Sequence, residues 1–155
     1  MELKSKATMD VPIDQVFAML IDFEAHQRSA MRRGAEVTRL DSLTEPGAGA
    51  KWKIGFEFRG KARMIDLEMV TFDRPEELGF EARLHGLDSA IQMQLVALSK
   101  TRTRLNVNAE MTPTTLSARL LMQSLKLAKS TLTKRFDKRL AAQARDMEDR
   151  YSRMV

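Results

Sequence analysis

Residues 114–151 read TTLSARLLMQSLKLAKSTLTKRFDKRLAAQARDMEDRY. Taken at helical spacing, the stretch yields Leu121, Leu125, Ala128, Leu132, Phe136, Leu140, Ala144, Met147 and Tyr151. Every step is three or four residues, the pattern of one apolar stripe on a long α-helix. Pro113 stops what comes before, Thr114 or Thr115 can cap the first turn, and no Gly or Pro interrupts the rest. A helix of about 36 residues would be about 54 Å long. A compact chain of this size has a radius of gyration of about 15 Å. The helix is therefore expected to cross the whole domain, and the preceding residues must supply a surface for its stripe.

Those residues change period. Glu2 to Met9 alternate, with Leu3, Ser5, Ala7 and Met9 on one face, as in a half-buried strand. Pro12 suits a first helical turn, and Val16, Phe17, Leu20 and Ile21 give that helix an apolar side. A second short helix is expected from Phe23 to about Arg32, stopped by Gly34. From Ala35 to Met111 the period is two. Trp52, Ile54, Phe56 and Phe58 alternate with charged residues, and Gly60 marks a hairpin. Ile65, Leu67 and Met69 return on the same face, followed by Phe80 and Leu84, Met93 and Leu95, then Leu105 and Val107. Short polar turns between these runs imply an antiparallel meander with one apolar face and one wet face. The long helix is the element large enough to cover the apolar one. The 155 residues suit a single domain, and no repeat or linker divides them.

Four local motifs carry a family resemblance. Val11-Pro12-Ile13-Asp14-Gln15-Val16-Phe17-Ala18-Met19-Leu20-Ile21-Asp22-Phe23 combines a Pro, an aliphatic–aromatic pair and an Asp. Gly49-Ala50-Lys51-Trp52 enters the strongest strand. Phe72-Asp73-Arg74-Pro75 forms an acidic-Pro turn, and Thr101-Arg102-Thr103-Arg104-Leu105 forms the last hairpin, with Lys100 where a Gly is usual. In order and spacing the chain resembles the START-like helix-grip superfamily, which includes polyketide cyclases and lipid-transfer domains. The resemblance implies an α+β fold. A curved antiparallel sheet of about seven strands would wrap on a long C-terminal helix, with two short helices between the first and second strands. The fold hosts many functions and fixes none.

Composition excludes some chemistry. There is no cysteine, so neither a disulfide nor a thiolate metal site can form. His26 and His85 are the only histidines, and neither has a ligand-like neighbour one turn on. No nucleophile elbow or glycine-rich phosphate loop occurs, so no cofactor, metal or catalytic residue is assigned. No membrane-length apolar run or signal-peptide core is present, and a cytoplasmic location is the expectation.

The inward strand positions are almost wholly apolar. They serve as plain core, or as the wall of a chamber where a curved sheet and a straight helix diverge. As a chamber wall, the ligand-binding residues would be Trp52, Ile54, Phe56, Phe58, Ile65, Leu67, Met69, Phe80, Leu84, Met93, Leu95 and Val107 from the sheet. Leu125, Leu132 and Phe136 would face them from the helix, with Arg39 and Arg63 on the rim. The eleven Met suit an adaptable wall. The expected function is transport, storage or sensing of a small hydrophobic or lipid-like molecule. Two alternatives stand: a polyketide cyclase or dehydratase-like enzyme using Arg63, Arg39 or Tyr151, and a ligand-free dimerisation or interaction module.

The net charge of +5 is concentrated at the end. From Pro113 onward there are ten Lys and Arg against four Asp and Glu. That face, with Lys126, Lys129, Lys134 and Lys138, is either simply solvated or drawn to an anionic membrane surface. Nucleic acid is disfavoured because no aromatic residues interleave with the cations. Leu116, Leu120 and Leu127 form a second apolar patch, either covered by the short helices or buried between subunits of a homodimer; a monomer remains the other state.

Overall fold

The computed structural model describes all residues, Met1 to Val155. In chain order the elements are β1 (Glu2–Met9), α1 (Ile13–Leu20), α2 (Phe23–Arg32), β2 (Glu36–Arg39), β3 (Lys51–Phe58), β4 (Lys61–Asp73), β5 (Glu77–Leu84), β6 (Leu87–Ser99), β7 (Arg102–Pro113), α3 (Leu116–Leu127) and α4 (Lys129–Met154). The seven strands make one antiparallel sheet in the order β1-β7-β6-β5-β4-β3-β2. Only β1 leaves the meander, crossing to pair with β7, so Leu3 faces Ala109 and Met9 faces Thr103.

The alternation seen in the sequence sets the faces. Trp52, Met69, Leu78, Leu95, Leu105 and Val107 are buried in one cluster with Val16, Phe17 and Met19 of α1 and with Leu140, Ala144 and Met147 of α4. Two local devices shape this sheet. Arg59 and Gly60 both take positive φ, as the two central residues of a tight hairpin between twisted strands require. The register of β4 against β5 slips between Met69 and Thr71. That bulge turns both Met69 and Phe72 toward the core, although they are three residues apart. Gly79 sits opposite the slip, where an added Cβ would lie 2.9 Å from Thr71.

The helix expected over 114–151 is two helices. Ala128 lies at φ −99°, ψ 15°, outside helical geometry, and its N–H bonds back three residues to Leu125. The long C-terminal helix is α4, and at about 1.5 Å per residue its 26 residues span about 39 Å. Thr115 caps α3 by accepting from the Ala118 N–H at 3.1 Å. The break shifts the phase of the stripe. In α3 the inward residues are Met122, which is buried, with Ala118 and Leu125 half-buried, whereas Leu121 is exposed. In α4 the expected Leu140, Ala144 and Met147 are the buried ones. Periodicity cannot register a one-residue break that keeps the same residue spacing on either side of it. Leu116, Leu120 and Leu127 are not covered by the short helices; they stand in solvent.

Burial predicts where truncation hurts. Phe17 is fully buried and meets Phe72 edge-on at 5.4 Å. Phe17→Ala should cost about 3–5 kcal/mol. Leu127→Ala, at an exposed position, should stay within about 0.5 kcal/mol of wild type. Urea unfolding of both variants checks this. Equal losses would contradict the assigned packing.

Candidate functional site: an apolar chamber between sheet and helices

A cavity of about 350 Å³ lies inside the fold, within the range of small-ligand sites. Fourteen of its eighteen lining residues are hydrophobic. The sheet gives Val37, Trp52, Ile54, Leu67, Phe80, Met93, Leu105 and Val107. These come from six adjacent strands, β2 to β7, and share the inward face by parity. Helices α1 and α2 give Met19, Leu20, Phe23 and Ala30, and α4 gives Leu140 and Met147.

The four polar liners all come from helices: His26 and Gln27 on α2, Gln143 and Arg150 on α4. His26 and Gln143 are exposed, so the chamber reaches solvent between these two helices. Local chemistry holds them there. The His26 Nε2–H is shared between the carbonyls of Met19 and Leu20, both at 3.1 Å, at the end of α1, where the Met19 carbonyl also accepts from the Asp22 N–H at 3.4 Å. Asp22 caps α2 through the Ala25 N–H at 3.2 Å, and its carboxylate faces Arg150 of α4 at 3.9 Å. Arg150 also stands 3.9 Å from Asp146, one turn earlier on its own helix. No cluster of three or more His, Asp or Glu side chains converges in a geometry for a metal ion.

One wall is an aromatic stack. Phe23 meets Trp52 edge-on at 4.8 Å, and the Arg39 guanidinium lies 4.9 Å from the Trp52 ring centre and 5.7 Å from that of Phe23. Arg39 pairs through Nε with Asp41, and its Nη2 reaches the other carboxylate oxygen at 3.0 Å. Asp41 also accepts from the backbone N–H groups of Lys51 at 2.7 Å and Leu43 at 2.9 Å. The Arg39 hydrogen bond, helped by those two amides, holds the Asp41 carboxyl well below the usual carboxylate range, against a smaller opposing effect of desolvation.

The structure gathers six of the residues expected at a ligand site: Trp52, Ile54, Leu67, Phe80, Met93 and Val107. The others lie elsewhere. Met69 and Leu95 are buried in the core beside the chamber. Ile65 and Leu84 pair with each other farther along the sheet. Phe56 borders a separate polar groove, and Phe58 is exposed beside the hairpin. Phe136 packs on the core, Leu132 is half-buried outside the chamber, and Leu125 belongs to α3. Parity names the face of a strand but not the extent of its cover. Arg39 does border the chamber, stacked on two of its liners, whereas Arg63 and Tyr151 do not line it. Sequence reasoning missed the polar liners. Gln143 and Arg150 follow Leu140 and Met147 by three residues each, so the flank of the helical stripe already carried that signal.

No protein-family model matches the chain, and no curated protein matches its sequence. Solved structures do match it. A protein from Cytophaga hutchinsonii, known from its solution structure, superposes with a TM-score of 0.66 at 14% identity, over 98% of this chain and 97% of its own. The Zhui aromatase/cyclase of a Streptomyces strain gives 0.62 at 13% identity, over 84% and 87%. A START superfamily protein from Mycobacterium smegmatis gives 0.58 at 11% identity, over 86% and 95%. The chain has the START-like helix-grip fold, an open seven-stranded antiparallel sheet with a long C-terminal helix. At these identities the likeness is one of fold.

The Asp41 network has a pH signature. A carboxylate held low in the folded state stabilises above its unfolded pKa, about 3.9, and that stability drains away as pH falls toward the folded value. Asp41→Asn should cost about 1–3 kcal/mol at pH 7. The gap to wild type should narrow between about pH 4 and pH 2. Urea unfolding at the two ends measures it, and a gap independent of pH would remove Asp41 ionisation as the cause.

Proposed function

We propose that the protein binds a small hydrophobic molecule in this chamber, for transport, storage or sensing. The observation that carries the proposal is a volume lined by apolar side chains from six strands and three helices, with its four polar liners all on α2 and α4. Such a site draws affinity from buried area at about 25 cal/mol per Å². The Met19, Met93 and Met147 side chains suit varied ligand shapes. The neighbouring aromatase/cyclase makes catalysis the other use of such a chamber. Of the rim groups considered for it, Arg39 is already committed to Asp41 and to two aromatic rings.

Titration with the uncharged dye Nile red tests the binding reading. Ala30→Trp would fill part of the chamber. Removing about 60 Å² of ligand contact would cost about 1.5 kcal/mol, roughly a tenfold loss of affinity. Circular dichroism and the unfolding midpoint establish that the variant folds. Absence of dye binding by folded wild type, or unchanged affinity in Ala30→Trp, would sink the proposal.

The surface reading centres on α3. No helix is long and apolar enough to cross a membrane. Leu116, Leu120 and Leu127, at steps of four and seven, form a ridge opposite the inward Met122, with exposures of 73%, 59% and 90%. From Pro113 to Phe136 the charges are Arg119, Lys126, Lys129, Lys134 and Arg135, with no acidic residue. Two copies meeting on this ridge would bring like charges together, whereas an anionic bilayer would accept both the leucines and the cations. Binding to phosphatidylserine vesicles should weaken as salt shortens the Debye length from about 10 Å at 0.1 M to about 3 Å at 1 M. It should fall further when the three leucines become serine. Equal binding to neutral vesicles, or a stable dimer broken by Leu127→Ser, would overturn the bilayer reading.

A further inference from the structure

A polar groove adjoins the mouth of the chamber. His26 and Ala30 line both, so the two volumes meet at α2. The groove also takes in Ser29 of α2, Arg33 at the C-cap of that helix, Glu57 from β3 and Arg139 from α4. Arg33 and Arg139 come from elements far apart in sequence, yet they border one depression. Neither is within 4.0 Å of a carboxylate, as all the ion pairs of the molecule involve other residues. Glu57 is the single acid among the groove residues. An apolar chamber thus opens beside a depression that holds two guanidinium groups and one carboxylate, none of them in an ion pair, with a serine hydroxyl and an imidazole. Arg33, the C-cap residue just past α2, places its charge at the carbonyl end of that helix.

The geometry points to an amphiphilic ligand: an apolar body in the chamber and an acidic head, carboxylate or phosphate, between Arg33 and Arg139. This inference rests on the proposed binding function and adds the head-group class to it. Guanidinium groups are suited to this recognition because their planar forks match the oxygens of either anion. A cationic head would meet repulsion there. A neutral alcohol could still bind through its chain but would gain nothing from the arginines.

Displacement of bound Nile red by four amphiphiles sharing one chain length decides the matter: dodecanoate, dodecyl phosphate, dodecanol and dodecylammonium. Two exposed, partly screened ion pairs predict that at least one acid displaces the dye at about five- to tenfold lower concentration than dodecanol. Dodecylammonium should be the weakest. The advantage should shrink in high salt and vanish in Arg33→Gln/Arg139→Gln. Nile red affinity itself should persist in that variant, because neither arginine lines the chamber. The better of the two acids identifies the head as carboxylate or phosphate. Equal potency of the acids and the alcohol, or a preference that survives the double variant, would overturn the head-group inference while leaving the chamber intact. Failure of Nile red to bind at all would overturn both.

Discussion

The packing of α4 along β1 governs the rest of the molecule. The helix lies against the edge strand, and two polar contacts fix it there. The Ser5 hydroxyl donates to Asp137 at 2.5 Å, and the Asp10 N–H donates to Glu148 at 3.0 Å. One anchor sits in the middle of β1 and the other just past its end, so they pin the helix along the second half of the strand. A straight rod held against one edge cannot also lie flat on a curved sheet. It buries Leu140, Ala144 and Met147 in the common core, while Phe136 and Tyr151 are only partly buried. The middle strands are then left with apolar side chains and no helix directly upon them. The chamber is what remains once α1 and α2 have covered part of that gap.

This division explains what could be read from the residues alone. Strand parity is local, so Trp52, Ile54, Leu67, Phe80, Met93 and Val107 could be placed on the inner face before any tertiary structure was known. The extent of the cover is not local. Phe58 obeys the same alternation as Trp52, yet it is 53% exposed because it sits at the hairpin, where no helix reaches. The bend at Ala128 was hidden for a related reason. No Gly or Pro marks it, and what distinguishes α3 from α4 is the surface each meets: the end of β7 for one and β1 for the other. The mouth residues His26 and Gln27 were the least legible. Their place depends on how α2 docks, which Asp22 and Arg150 decide across 128 residues of sequence.

The three solved structures matched above share this architecture at 11–14% identity. So little shared sequence means that the architecture tolerates wide change in residues provided the alternation, the turns and the helical stripe survive. Fold likeness therefore says little about which molecule occupies the chamber. The information resides in departures from the pattern, where a polar or charged group stands against an apolar wall. Arg39 is one departure, and its partners account for it. Asp41 neutralises it, two rings receive its face, and the result is a rigid wall rather than a free reactive group.

Arg33 and Arg139 stand beyond the apolar wall, in the groove beside its mouth, and no partner accounts for them. An arginine that stabilises the fold usually shows its partner, as Arg39 shows Asp41 and as Arg74 shows the Phe17 ring at 5.2 Å. Lone surface arginines are ordinary and contribute little to stability. Two that border one depression, beside the opening of an apolar chamber, are less simply explained by solvation. Their separation in sequence means that only the folded chain brings them to one place, with α2 and α4 already tied by Asp22 and Arg150. The same helix pair thus frames the opening and supplies the cations. A ligand with one apolar end and one acidic end would engage both features at once, with its chain restricting the number of ways the head can approach.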